Sequence, residues 1–303
     1  MDYSSLQKFI YKIKHNSNVK VEVIGKSVLG KNIYAVMINQ NEDFPWAIIT
    51  AAIHAREHLS CDIVIKQIGK FTKEYKKYSY NVAFVPLVNP DGAAFAVNGL
   101  QNLPNNIKHS LIKINGGEDF ALYKANANGV DLNNNFNANW QTQFTNKTQP
   151  SSQGYYGAKP FSEPESRTIA RFTKKLKPFI TISYHLKGEE IYFDFFQTEH
   201  NYKRDQQIAQ VFAKSTGYTI KTTQNCSSGG YKDWCVQALG IPALTIELGE
   251  DKFAHPYPKK QLKNIYNKNK GVFECLQTSL KIYNTEKNYE KHGDCNCPSA
   301  KGI

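Results

Sequence analysis

The sequence predicts an α/β protein: one domain built on a mixed, largely buried central sheet with helices on both faces. Short apolar runs of strand length, among them WAIITAAI (46–53), PFITISYH (178–185) and PALTIEL (242–248), alternate with stretches whose apolar residues recur every three or four positions. The runs are continuous rather than alternating, which is the pattern of strands covered on both sides. The 303 residues, 41% apolar and 13% aromatic, suit one large globular domain and exclude a disordered or fibrous chain.

Taken in order, residues 19–25 (VKVEVIG) and 31–38 (KNIYAVMI) flank KSVLG and read as a hairpin. After the strand at 46–53, residues 58–75 put Cys61, Val64, Ile65, Ile68 and Phe71 on one helical face. Residues 81–92 (NVAFVPLVNPDG) read as a strand ending in a Pro-Asp-Gly turn, followed by a polar, Gly/Asn-rich connection over 94–128. At 162–177, Ser162 with Glu165 three residues on forms a capping box that opens a helix. Strands follow at 178–185 and 190–196 (EIYFDFF), then a helix at 204–217 stopped by Gly217. Further strands occupy 218–224 and 242–248, and 260–283 reads as one long final helix. No repeat or linker interrupts this order, so the expectation is one domain over 1–283 and a flexible tail over 284–303.

The net charge of +12 is carried mainly by lysine, since the only arginines are Arg56, Arg167, Arg171 and Arg204. The lysines are dispersed, and no basic run is interleaved with base-stacking aromatics, so a nucleic-acid partner is not expected. No segment approaches the roughly 20 apolar residues of a membrane span, and the first 20 residues lack the apolar core of a secretory leader. The expectation is a cytoplasmic protein with no membrane or protein partner, export remaining open if a leader has been trimmed. Six cysteines are too few for a disulfide framework at this length, and Cys295 and Cys297 fall in the polar tail, where one C-x-C is a weak metal signal.

Chemistry concentrates at strand ends. His54 and Glu57 follow the strand at 46–53, His185 closes the one at 178–185, and Glu247 lies near the end of 242–248. Open α/β sheets place their sites at such carboxyl ends. Each residue alone is unremarkable, because a bare H-x-x-E or a lone histidine after a strand is common. Together, two histidines and a carboxylate fill three positions of a tetrahedral zinc site, and a further carboxylate nearby can take a proton from water.

Eight ordered blocks extend the pattern: IGKSVLGKNIYAVMI, HAREH, NPDG, GVDLNNNF, GAKPFSEPESR, SYH, SGGYKDW and LTIELG. In these blocks, from Val21 to about Tyr283, the chain resembles the zinc carboxypeptidases of the carboxypeptidase A type. The resemblance implies a carboxypeptidase-like, phosphorylase/hydrolase-like fold for a catalytic domain over 1–283. It implies His54, Glu57 and His185 as ligands of one zinc ion, and Glu247 as general base and proton shuttle. Lys124, in LYKANANGVDLN, stands where the family usually has the arginine that stabilises the oxyanion; lysine supplies the charge without the planar fork. Arg56 matches a substrate-contacting arginine, with a structural salt bridge as the equal alternative.

Two departures bear on specificity. Members that remove ordinary C-terminal residues grip the free carboxylate with the asparagine and arginine of GVDxNRN and with a tyrosine before SGG; here Asn133 keeps the asparagine, Asn134 replaces the arginine, and Asn225 falls at the tyrosine. Loss of a bidentate clamp weakens selection of ordinary C-termini. YKANANGVDLNNNF, GAKPFSEPES, SYHLKGEEIYFDF and GGYKDW with GIPALTIELG are similar to the bacterial γ-D-glutamyl-diamino-acid peptidases, which cut peptidoglycan stem peptides. The implied substrate is a peptidoglycan-derived peptide, cleaved between D-glutamate and meso-diaminopimelate. Glu189 then meets the distal ammonium or merely caps a strand, and Lys232 meets a substrate carboxylate or is an ordinary helix-start lysine. Two other functions stay open: a zinc carboxypeptidase for ordinary peptides, and a muropeptide-binding protein without turnover.

Overall fold

Parallel strands at the centre of the sheet are built from the most continuously apolar segments of the chain. The computed structural model describes residues 1–39, 41–141, 147–223 and 229–293. Among them, the strands are β1 (Lys20–Lys26), β2 (Asn32–Ile38), β3 (Trp46–Ala51), β4 (Asn81–Val85), β5 (Ile180–Leu186), β6 (Glu190–Tyr192), β7 (Thr219–Lys221) and β8 (Ala243–Leu248). They form one sheet in the order β1-β2-β4-β3-β5-β8-β6-β7. β4, β3, β5 and β8 run parallel, while β1, β2 and β6 pair antiparallel with a neighbour, so the sheet is mixed. Every residue of β4 and β5 is buried, as both-sided coverage requires.

The helices are α1 (Tyr3–Ile13), α2 (Leu59–Glu74), α3 (Pro90–Asn98), α4 (Asn105–Asn115), α5 (Pro164–Leu176), α6 (Glu199–Thr216), α7 (Tyr231–Leu239), α8 (Leu262–Asn269) and α9 (Val272–Gly293). One core, on the face of Tyr184, Leu186 and Ile246, takes residues from α1, α2, α6, α8 and α9. A second, on the opposite face, takes Ile169 and Phe172 of α5 and Tyr231 and Trp234 of α7. The hairpin and the helix stop at Gly217 stand as expected; Gly217 adopts φ 76.

Several expectations are corrected. Pro90-Asp91-Gly92 is not a turn but the start of α3: Asn89 caps it by accepting from the Gly92 amide at 3.0 Å, and Pro90 occupies a first-turn position where a missing N–H costs nothing. A Cβ at Gly92 would lie 2.6 Å from the Ala125 carbonyl and 2.7 Å from the Ala55 methyl, so only glycine admits these two segments against α3. The connection at 94–128 contains α4, whose Ile107, Leu111 and Ile112 pack with Phe95, Phe120 and Tyr123 in a third cluster. At α5 the cap is Glu163 rather than Ser162, and Glu165 is turned inward to accept from the Val28 amide and Asn126. The final helix is two helices, α8 and α9, separated around Gly271, where a Cβ would come within 2.6 Å of the Ser215 hydroxyl of α6. α9 passes Tyr283 and continues to Gly293. Strands expected at 190–196 and 218–224 shorten to three residues each, and Asn225, Cys226, Cys295 and Cys297 lie outside the described residues.

Candidate active site

β3 ends at Ala51, and the chain turns at Ala52 with φ 51, a left-handed conformation uncommon for a residue that carries a Cβ. The Ser60 hydroxyl holds this turn, accepting from the Ala52 amide at 3.0 Å and donating to the Glu57 carbonyl at 2.7 Å. A short 3-10 turn over Ala55–Glu57 then brings His54 and Glu57 onto one side. His185 comes from β5, directly opposite Glu247 in the parallel β5–β8 ladder.

The three expected ligands converge. His54 Nδ1 lies 2.8 Å from Glu57 Oε1, His185 Nδ1 lies 3.2 Å from Glu57 Oε2, and the two ring nitrogens are 3.2 Å apart. A tetrahedral zinc with nitrogen and oxygen ligands at about 2.0–2.1 Å needs ligand atoms separated by about 3.3 Å. All three residues are buried, and no other group of three histidines, cysteines or acids meets the ligand-distance requirement among the described residues. The donor set and its spacing therefore fit zinc.

Burial would favour the neutral form of Glu57, but the charges and hydrogen bonds of His54 and His185 outweigh it and hold the carboxyl well below its ordinary range. Burial would lower His54, yet Glu57 and Asp131 raise it. Asp131, a buried residue absent from the sequence-based site, lies with Oδ1 3.2 Å from His54 Nε2, at ion-pair distance but short of hydrogen-bond alignment. Its other oxygen is 3.4 Å from Lys124 Nζ and accepts from the Gly154 amide at 3.2 Å. Burial acts to raise Asp131, and Lys124 and His54 together overcome it and drive the group strongly down. A carboxylate behind a ligating histidine orients the ring and raises its basicity.

Glu247 is pushed up to about 7 by burial, partly offset by His185 and reinforced by Glu57. Its Oε2 is buried and has no hydrogen-bond partner. A carboxylate held near neutrality, with one oxygen unengaged, suits a group that takes and returns a proton. Lys124 joins the cluster through Asp131, and its carbonyl accepts from the Ala55 amide at 3.1 Å, tying its loop to the metal turn.

The remaining sequence-predicted residues divide. Arg56 lines a cleft of about 500 Å³ with Asn115, Glu118, Asp119, Leu122 and Ser152, and its buried Nε has no hydrogen-bond partner. Asn133 accepts from the Tyr231 amide at 3.1 Å, anchoring the start of α7, with half-buried Asn134 beside it. Lys232 is not presented to a ligand: it is buried, 2.6 Å from Asp233 and 2.6 Å from the Asp194 carbonyl. Glu189 is likewise engaged, gripped through both oxygens by Lys268 at 2.6 and 2.8 Å. The neighbouring Glu190, which sequence reasoning passed over, is the one opposite Glu247 in the β6–β8 ladder. The signal that separates the two glutamates is strand alternation, and it can be used only once the β6 register is known.

A family model described as zinc carboxypeptidase matches residues 6–271. The chain is similar to the gamma-D-glutamyl-L-diamino acid endopeptidase 1 of Lysinibacillus sphaericus, at 30% identity over 82% of this chain and 65% of that protein, so it spans slightly less than two thirds of that relative's length. A zinc carboxypeptidase of Simulium vittatum is 28% identical over 81% of this chain and 83% of its own. Among solved structures, thrombin-activatable fibrinolysis inhibitor superposes with a TM-score of 0.75 at 18% identity, over 94% of this chain and 77% of that one. A murein-tripeptide amidase from Escherichia coli O157 gives 0.51 at 20%, over 88% and 91%. These structural likenesses bear on the fold alone. No helix among the described residues is long and apolar enough to cross a membrane. Family match, fold and donor set agree, and on them the chain belongs to the zinc carboxypeptidase family.

Proposed function

We propose that the protein cleaves the bond between γ-D-glutamate and meso-diaminopimelate in peptidoglycan stem peptides. The observation that carries this reading is the 30% identity to an endopeptidase named for γ-D-glutamyl-L-diamino acid bonds. Asn134, in the place of a clamping arginine, supports it, because a lone pair of asparagine amides cannot form the charged fork that holds an ordinary terminal carboxylate.

Zinc held by His54, Glu57 and His185 would polarise the scissile carbonyl and increase the acidity of a water. Glu247 takes a proton from the attacking water and passes it to the departing amine of the diamino acid, so the base is regenerated as the amide bond breaks. Asp131 keeps the His54 ring oriented. Lys124 balances the charge of Asp131 and adds positive potential where negative charge develops on the carbonyl oxygen.

The test is mass-spectrometric analysis of products after incubating the zinc-loaded protein with L-Ala-γ-D-Glu-meso-diaminopimelate, beside Glu247→Gln. Free diaminopimelate is expected from the unmutated protein, with a rate loss of about 10²–10⁴ in the variant. Release of C-terminal residues from ordinary peptides, with this tripeptide untouched, would assign the protein to general carboxypeptidase activity instead.

A further inference from the structure

Strand register places a row of polar side chains across one face of the sheet. His185 of β5 lies opposite Glu247 of β8, Glu247 opposite Glu190 of β6, and Glu190 opposite Thr219 of β7. One step along, Ser183, Thr245, Tyr192 and Lys221 form a second row. Residues directly opposite in a ladder project to the same side, so all eight share the face of the ligand His185. The alternate positions Tyr184, Leu186, Ile191, Ile246 and Leu248 fill the apolar core on the other side.

Beyond Glu247 this face ends in three groups that the catalytic steps do not use. Glu190 accepts a hydrogen bond from the Tyr192 hydroxyl at 2.7 Å. The Lys221 ammonium lies 3.6 Å from the other Glu190 oxygen, with the two side chains 48% and 27% exposed, so both remain open to a ligand. The Glu189–Lys268 pair is self-contained and does not neutralise either. A carboxylate and an ammonium held side by side complement a group that itself carries both charges.

We propose that Glu190, Tyr192 and Lys221 select a leaving residue whose side chain ends in both an ammonium and a carboxylate, Glu190 taking the ammonium and Lys221 the carboxylate. This rests on the diamino-acid reading above and adds its distal centre. A lysine-type side chain satisfies Glu190 but leaves Lys221 without a partner, and a site built for a polar group discriminates against the analogue that lacks it. The alternative, an ordinary surface ion pair, makes no distinction between ligands.

The experiment compares L-Ala-γ-D-Glu-meso-diaminopimelate with L-Ala-γ-D-Glu-L-Lys on the zinc-loaded protein. Lys221→Met is expected to lower the ratio of their kcat/KM values by about tenfold or more, through KM, whereas Glu190→Gln raises KM for both. Equal loss on both substrates in Lys221→Met, or no loss on either, overturns the proposal. Calorimetric titration of the same proteins with free meso-diaminopimelate and free L-lysine gives a readout independent of turnover. Tighter binding of meso-diaminopimelate by the unmutated protein, abolished by Lys221→Met, supports the pocket even if neither tripeptide is cut, in which case the bond assignment alone has failed. Equal binding of the two amino acids overturns the pocket.

Discussion

Asp131 stands behind His54, with one oxygen toward the ring and the other toward Lys124 and the Gly154 amide. Replacing it with asparagine removes the charge that orients the ring and leaves Lys124 without its counter-ion. The expected result for Asp131→Asn is a loss of zinc affinity of about 10–100-fold, measured by competition with a chromophoric chelator; an unchanged affinity would remove Asp131 from the account. Such a residue is hard to see in sequence because an aspartate within GVDLNNNF reads as one more polar loop position. His54, His185 and Glu247 were legible for the opposite reason: each follows or closes an apolar strand, where a polar residue needs a special explanation, and Glu57 stands three residues after His54. Lys232 and Glu189 looked available as substrate contacts, since a sequence shows charges but not that Lys232 pairs with its neighbour Asp233 or Glu189 with the distant Lys268.

At the level of elements, the start of α5 holds together the hairpin turn and the loop that carries Lys124 and Asp131. Glu165 accepts from the Val28 amide at 3.1 Å and from Asn126 at 3.1 Å, and Glu163 accepts from Asn126 at 2.7 Å and Asn128 at 2.8 Å. Burial raises Glu165 to about 7, despite the lowering effect of those hydrogen bonds. Its folded value exceeds the unfolded one, so its stabilising contribution is complete below about 4.5 and is lost as pH rises through about 7. At about 1.4 kcal/mol for each pH unit between the two values, the change is on the order of 3 kcal/mol. Glu165→Gln cannot ionise, so its stability relative to the unmutated protein is expected to improve by roughly that amount between pH 4.5 and pH 8, read from urea midpoints; a constant difference would refute the ionisation. The parallel strands and α2, α5 and α6 were readable because their apolar spacing is dense. α4 was not, since its apolar residues are diluted by asparagine, lysine and histidine and make sense only against Phe95 and Phe120. The break at Gly271 answers to Ser215 of α6, a neighbour distant in sequence.

Across the whole molecule, the ligands join two distant parts of the chain, with His54 and His185 131 positions apart. Binding to the folded state alone stabilises it by mass action, about 4 kcal/mol with free zinc at a thousand times its Kd. Chelation is therefore expected to lower Tm by several degrees, followed by scanning calorimetry with and without a chelator; an unaltered Tm would mean that the cluster does not hold the ion in the folded state. Because β3 and β5 are direct parallel neighbours, the two histidines meet only while that central pair is zipped. A zinc ion held there would act as a rivet joining the two central strands at their carboxyl ends. Fraying of α1 or of the edge strands β1 and β7 would leave these ligands together, whereas parting of β3 from β5 would separate them.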